Sequence, residues 1–92
     1  MLLRLYSKRR CPLCEVATRI VHELARRYGS ALRIDLRYID DSPADYARFR
    51  YDVPVLFIDE ERAFELRFTL EEVEARLRAR GMRVAEAPPG DA

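Results

Sequence analysis

The chain has 92 residues, 49% of them hydrophobic, so it supports one small domain with a single core and leaves no room for a second. Its 17 Lys and Arg residues nearly balance its 16 Asp and Glu residues, which excludes the strong overall field that steers nucleic acid or an acidic partner. No apolar stretch is long enough to span a membrane, and the N-terminus lacks the features of a signal peptide. We therefore expect a cytoplasmic protein that binds neither nucleic acid nor a membrane.

The first half of the chain alternates between strand and helix patterns. Leu2–Ser7 is predicted as a strand, and a helix with Pro12 in its first turn runs to Tyr28, where Gly29 ends it as a C-cap. A second, half-buried strand is predicted at residues 32–39, where apolar and charged residues alternate. The core-facing positions of the helix recur at helical spacing and are Leu13, Ala17, Ile20, Val21, Leu24 and Tyr28.

The middle of the chain predicts a short helix followed by a buried strand. Ser42 is a helix-capping residue, Pro43 suits the first helical position, and this helix is expected to end near Arg50. Residues 55–58 form a continuous apolar run, which is typical of a central strand that is buried on both faces.

The last third predicts a hairpin strand and a final helix. A polar turn at 59–62 leads into a strand at 63–68, which is expected to place Phe64, Leu66 and Phe68 on one face. Thr69 and Glu72 have the spacing of a capping box, so the last helix begins there and ends at Gly81.

The element order β-α-β-α-β-β-α predicts the architecture. The strand-helix-strand start requires a right-handed crossover between two parallel strands, and the later hairpin adds antiparallel ones. We therefore predict an α/β domain over residues 1–81, with a four-stranded mixed sheet and helices on both faces. Residues 82–92, which include Pro88, Pro89 and Gly90, are predicted as a loosely ordered tail.

The only two cysteines of the chain, Cys11 and Cys14, carry its clearest chemical signal. They lie where a strand gives way to a helix, and a helix start stabilises negative charge, which lowers the pKa of the Cys11 thiol. Lys8, Arg9 and Arg10 add positive charge nearby. In a cytoplasmic protein such a pair is more often catalytic or metal-binding than structural. We interpret Cys11 as a nucleophile and Cys14 as the thiol that resolves the mixed disulfide.

Two segments carry a resemblance to a known family. Residues 6–14, Tyr-Ser-Lys-Arg-Arg-Cys-Pro-Leu-Cys, resemble the entry motif of glutaredoxins, and residues 53–58, Val-Pro-Val-Leu-Phe-Ile, resemble the family's Val-Pro-x-x-Phe-Ile segment. The element order also matches the thioredoxin-like fold. The resemblance covers residues 1–81 and is greatest to small, mostly bacterial glutaredoxin-like proteins. It implies a disulfide oxidoreductase without a bound cofactor, whose partner is a disulfide-containing protein or glutathione as co-substrate.

The resemblance also implies a substrate-binding surface around the thiols. Lys8, Pro12 and Leu13 surround the cysteines, and Val53 is expected to pair its backbone N–H and C=O with an extended, peptide-like substrate. Pro54 is expected to follow a cis peptide bond and to face the active-site sulfur. We expect the domain to act on its partner as a monomer.

Two features depart from the family pattern. Leu13 stands between the cysteines, where most members carry an aromatic residue. Residues 63–69 contain no Gly-Gly pair, which in the family lets the γ-glutamyl end of glutathione approach the backbone. Lys8 and Val53 keep the positions that would hold the other end of the tripeptide.

Other functions of the cysteine pair stay open. Zinc usually takes four protein ligands, but this chain offers two cysteines and His22, which is predicted on the surface of the first helix, so we predict no metal site. A shared iron–sulfur cluster usually accompanies a single cysteine and a glycine-rich motif. The main alternative is a thioredoxin-fold binding or redox-sensing module with little turnover, which would recognise a partner by strand-like pairing along Val53.

Overall fold

The structure is a computed structural model that describes residues 1–83. Its elements follow the predicted order, with two short 3₁₀ turns that the sequence analysis did not predict, at Gly29–Ala31 and Ile39–Asp41. The strands and helices are β1 (Leu2–Ser7), α1 (Pro12–Tyr28), β2 (Arg33–Tyr38), α2 (Pro43–Phe49), β3 (Val55–Ile58), β4 (Glu61–Glu65) and α3 (Leu70–Ala79). Most of the predicted tail lies outside the described residues, while Met82 packs against the core.

The four strands form one mixed sheet in the order β2-β1-β3-β4. β1 and β2 are parallel, because α1 returns the chain to the same end of the sheet, and β3 is antiparallel to both β1 and β4. α1 and α3 pack on one face and α2 on the other. This confirms the predicted α/β, thioredoxin-like architecture.

Two apolar cores lie on opposite faces of the sheet. β3 is buried along its whole length because its side chains enter both cores in alternation, as the continuous apolar run predicted. The larger core, under α1 and α3, contains Leu3, Leu5, Val21, Leu24, Leu56, Ile58, Val73 and Leu77. The smaller core, under α2, contains Tyr6, Ile39, Phe49, Val55 and Phe57 together with Cys14 and Val53.

The predicted helix ends are confirmed. Gly29 has φ 56°, a left-handed conformation that glycine adopts without a steric penalty. At the start of α3, the Glu72 N–H donates to Thr69 Oγ1 at 3.1 Å, and the Thr69 N–H donates to Glu72 Oε1 at 2.9 Å. This reciprocal pair is the predicted capping box.

The predicted hairpin turn was too long. The turn consists of Asp59 and Glu60 alone, whose positive φ values of 48° and 69° match the twist of a two-residue hairpin. β4 therefore begins at Glu61 instead of residue 63. Ala63 is an extra residue in β4 and forms a bulge opposite the Leu56/Phe57 step.

The predicted end of the hairpin strand was also wrong. Because Leu66 has φ 64°, it breaks the strand, and β4 stops at Glu65. Leu66 is consequently 44% exposed, while Phe68 returns to the larger core. The alternation expected over residues 63–68 is interrupted twice, once by the bulge and once by this left-handed residue.

The second strand is less buried than its alternating pattern predicted. Ile34 packs against the larger core, but Leu36 and Tyr38 on the same strand are 43% and 45% exposed. β2 is an edge strand with a neighbour on one side only, so its apolar residues receive less cover than those of β1 and β3.

Phe49 provides a test of the smaller core. It is fully buried, and its ring centroid lies 4.4 Å from that of Tyr6 and 6.0 Å from that of Phe57. Because its removal leaves a cavity, we expect Phe49→Ala to lower the free energy of unfolding by about 3–5 kcal/mol in urea denaturation. Tyr51 is 78% exposed, so Tyr51→Ala is the matched control and should change stability by at most about 0.5 kcal/mol. Equal losses for the two variants would contradict this account of the core.

Candidate active site

Cys11 occupies the N-cap position of α1, one residue before Pro12. Its Sγ accepts a hydrogen bond from the Cys14 N–H at 3.2 Å. At most helix starts this bond is accepted by a serine, threonine, asparagine or aspartate oxygen, so here a sulfur satisfies one of the free amides. The prediction that backbone N–H groups face the Cys11 sulfur is confirmed for one such group, that of Cys14.

Cys11 and Cys14 form a disulfide in this structure, with their Cα atoms 5.1 Å apart. Cys14 is buried in the smaller core, whereas Cys11 is half-buried at its edge. The Sγ of Cys14 accepts a hydrogen bond from the Lys8 N–H at 3.4 Å. Cys11 is therefore the more accessible residue of the pair, and Cys14 is shielded from solvent.

The loop that leads into Cys11 is fixed by acidic residues at the end of β2. The Arg9 N–H donates to Asp40 Oδ2 at 2.9 Å, and the Arg9 guanidinium donates to both oxygens of Asp41 at 2.8 and 3.2 Å. The guanidinium also lies 4.4 Å from the centre of the Tyr38 ring. Arg10, which follows, has φ 58°, a conformation that is uncommon for residues other than glycine. These contacts fix the position of the loop that precedes Cys11.

The charges around the thiols differ from the prediction. Arg9 pairs with Asp41, and this guanidinium holds the pKa of the Asp41 carboxyl below its usual range. The Lys8 ammonium lies 5.7 Å from the centre of the Tyr46 ring. Arg10 is exposed and takes part in none of the ion pairs found within residues 1–83. Of the three predicted cations, Arg9 is thus already compensated by the protein itself.

The Val53–Pro54 peptide bond is cis, as the resemblance implied. Val53 belongs to the buried cluster against which Cys11 packs. Its N–H donates to the Phe49 carbonyl at 3.1 Å, so the expectation that this donor is free for a substrate is wrong. No hydrogen bond to the Val53 carbonyl occurs within the described part of the chain, so this acceptor has no protein partner there.

Leu13 does not enter the core as the helical pattern predicted. It lines a cavity of about 140 Å³ with Val16, Ala17, Leu66, Arg67 and Phe68. The cavity lies on the stretch where the resemblance placed a Gly-Gly pair, and apolar side chains form the wall there instead. The sequence analysis missed Val16 and Leu66, because it read Leu66 as part of a regular strand and had no signal for its positive φ.

A second cavity, of about 370 Å³, lies beside Cys14. Its lining includes the basic loop at residues 8–10, Glu15, Arg19 and Tyr38. The basic loop was predicted from the sequence, but Arg19 was not.

The remaining predicted residues lie apart from the thiols or at their rim. Pro12 is exposed at the first position of α1, and His22 is exposed on the same helix, as predicted. Among residues 1–83, no group of three or more His, Cys, Asp or Glu side chains is arranged to hold a metal ion. None of the helices in this part of the chain has the length and apolar character needed to cross a membrane.

The fold and the site together define a thioredoxin-fold protein with a cysteine pair at a helix start. The family model described as "Glutaredoxin-like domain (DUF836)" matches residues 2–78, and the chain belongs to this family. A search of curated proteins finds no significant match.

Several solved structures share the fold of this protein. A structural genomics target protein from X. campestris is 30% identical, with a TM-score of 0.68 over 84% of this chain and 96% of that one. Thioredoxin 1 from Thermosipho africanus is 16% identical, with a TM-score of 0.66 over 87% and 93% of the two chains. A thioredoxin from Halobacterium salinarum is 20% identical, with a TM-score of 0.61 over 95% and 77%. The two thioredoxins share the fold alone with this protein.

The pairing of Arg9 with Asp41 can be tested through the reactivity of Cys11. Asp41→Asn removes the charge that compensates Arg9, so the surroundings of Cys11 become more positive. We expect the reduced variant to react with iodoacetamide about two- to threefold faster at pH 7 and low salt, with a smaller gain at high salt.

Glu71→Gln is the matched control for this experiment, because it makes the same charge change at an exposed position on α3. We expect it to leave the alkylation rate unchanged. Equal rates for the two variants would show that Arg9 has no local effect on the thiol.

Proposed function

We propose that the protein is a thiol–disulfide oxidoreductase that reduces mixed disulfides of proteins or of glutathione, with Cys11 as nucleophile and Cys14 as resolving thiol. The observation that carries this proposal is the hydrogen bond from the Cys14 N–H to the half-buried Cys11 sulfur at the start of α1. In the reduced protein the same N–H group favours a thiolate over a thiol at Cys11. The thiolate is the form that attacks disulfides.

The proposed reaction moves two electrons to the substrate. The Cys11 thiolate attacks one substrate sulfur, the substrate S–S bond breaks, and the departing substrate sulfur takes up a proton. The Cys14 thiol then loses its proton and its sulfur attacks Cys11 Sγ, which releases the second substrate thiol and closes the Cys11–Cys14 disulfide. Two molecules of a monothiol such as glutathione, or one dithiol, return the pair to the reduced state.

The surroundings of the pair supply the binding contacts of this proposal. The Val53 carbonyl accepts a hydrogen bond from the substrate backbone, and Pro54 beside it has no N–H that would compete. Pro12 and Leu13 contact the substrate at the rim of the site, and Lys8 adds positive charge. The cycle requires no bound cofactor, and we place the enzyme, as a monomer, in the cytoplasm, where thiols supply the electrons.

One pair of observations favours the alternative of a redox-sensing or binding module. The Val53 N–H is already bonded to Phe49, and Arg9 is paired with Asp41, so two groups that could assist turnover are occupied. In such a module the cysteine pair would still change its redox state, but slowly.

Cysteine variants test the order of the two thiols. We expect Cys11→Ser to abolish reduction of hydroxyethyl disulfide in the presence of glutathione, because the remaining thiol, that of Cys14, is buried. When reduced Cys14→Ser is treated with hydroxyethyl disulfide in the absence of glutathione, it should accumulate a mixed disulfide on Cys11, visible as an added mass in intact-protein mass spectrometry, because no second thiol is present to resolve it. Activity that persists in Cys11→Ser would overturn the assignment of the nucleophile.

The acidity of Cys11 separates an enzyme from a slow sensor. We expect the alkylation rate of the Cys14→Ser variant to reach half its maximum well below pH 8.5, roughly the value for free cysteine, because the helix start stabilises the thiolate. The measurement is the iodoacetamide rate from about pH 4 to 10, with free cysteine as the reference. A midpoint at that of free cysteine would favour the sensor.

A further inference from the structure

We propose that the 140 Å³ cavity beside Leu13 binds an apolar side chain of a polypeptide substrate, next to the cysteine that is reduced. This inference rests on the proposed oxidoreductase function and names its substrate class. The substrate is a protein disulfide whose cysteine has a bulky apolar neighbour and acidic residues close by.

The cavity has the size and lining for one such side chain. An apolar protein cavity of about 150 Å³ holds a benzene-sized group. Leu13, Val16 and Ala17 of α1 form one wall, and Leu66, Arg67 and Phe68 form the other, so Arg67 is the one charged residue of an otherwise apolar lining. Val16 and Leu66 are 43% and 44% exposed, so the free protein leaves apolar surface in water that a bound side chain would cover.

Leu66 is held at this wall by its backbone. Its φ of 64° is unfavourable for a non-glycine residue. The Leu66 N–H donates to the carbonyl of Pro54 at 2.9 Å and approaches that of Asp52 at 3.3 Å, which fixes the conformation. The chain thus keeps a leucine exposed in a strained conformation beside the cis-proline segment, as ligand-binding sites often do.

The second cavity, on another face of the first turns of α1, is positively charged. Lys8, Arg10 and Arg19 line it, and Glu15 is its only acidic residue. The side chains of Lys8, Arg10 and Arg19 take part in no ion pair found within residues 1–83. Acidic residues of a substrate complement this surface. Glutathione also carries carboxylates but has no bulky apolar side chain, so the apolar cavity favours a polypeptide over glutathione.

The spacing of the site places both contacts near the reacting sulfur. Leu13 follows Cys11 by two residues at the start of α1. A substrate in an extended conformation spans about 3.3–3.6 Å per residue. The apolar side chain therefore belongs to a residue next to the substrate cysteine, with the substrate backbone on the Val53 carbonyl.

Four peptide disulfides test this inference with the reduced wild-type protein. Each is a symmetric disulfide-linked dimer of a pentapeptide with a central cysteine. The two residues next to the cysteine are either both Leu or both Ser, and the two outer residues are either both Asp or both Lys, which gives four peptides. The measurement is the rate constant for protein oxidation, from acid-quenched samples by mass spectrometry. We expect the Leu peptides to react about tenfold faster than the Ser peptides. We expect Asp peptides to react about threefold faster than Lys peptides at low salt, with less difference at high salt.

Variants assign the preference to the cavity. Asparagine tolerates positive φ, so Leu66→Asn keeps the backbone and removes the apolar wall, and we expect the Leu-to-Ser rate ratio to fall to about threefold or less. Val16→Ser, on α1, should lower the Leu-to-Ser rate ratio in the same way. It replaces Leu66→Asn as the test of the cavity if Leu66→Asn does not fold. Leu36→Asn is the matched control, because Leu36 is equally exposed but lies on β2, and it should keep the wild-type ratio.

The outcomes separate this inference from the proposed function. Equal rates for Leu and Ser peptides, or a wild-type ratio in both cavity variants, would overturn the apolar site. If the wild-type protein reduces hydroxyethyl disulfide while showing no peptide preference, the oxidoreductase stands and only the apolar site falls. If it reduces neither that disulfide nor any peptide, the proposed function itself fails.

Discussion

At the start of α1 the Cys11 sulfur accepts a hydrogen bond from the Cys14 N–H, a backbone group that has no partner within the helix. A side-chain oxygen usually accepts this bond. The position of that sulfur depends on the helix, and the helix is held by Val21 and Leu24, which are fully buried against the sheet. The amide that caps the helix is also the group that would stabilise a thiolate. Packing of the larger core therefore also determines the position of the Cys11 sulfur beside this amide.

The sheet brings the second wall of the site to the first. Tyr6 near the end of β1 pairs with Val55 at the start of β3, and because these strands are antiparallel, the residues after Tyr6 and before Val55 lie at the same edge. This is why Cys11 and Val53, 42 positions apart, pack in one cluster. The parallel neighbour β2 ends at this edge as well, and the acidic residues after it hold the loop at Arg9.

Local signals predicted the parts of the fold and site that short-range chemistry determines. Three of these signals need no more than four consecutive residues: the helix cap at Thr69, the C-cap at Gly29 and the spacing of Cys11 and Cys14. The partners of Arg9, Asp40 and Asp41, lie 31 and 32 positions away along the chain, and no residue near Arg9 in sequence indicates them. The bulge in β4 likewise depends on its register with β3, which a pattern of alternating residues does not contain.

At Leu66 the conformation of the backbone lowers stability, while the side chain supplies the substrate preference proposed above. Glycine there would remove a backbone penalty of about 1–2 kcal/mol and would lose the contacts of a side chain that is already partly in water. Directed evolution that rewards only a higher melting temperature would therefore drift toward glycine and flatten the wall of the cavity. If the cavity selects substrates as proposed, thermostabilised versions of this domain would keep that preference only when the selection includes a bulky apolar substrate.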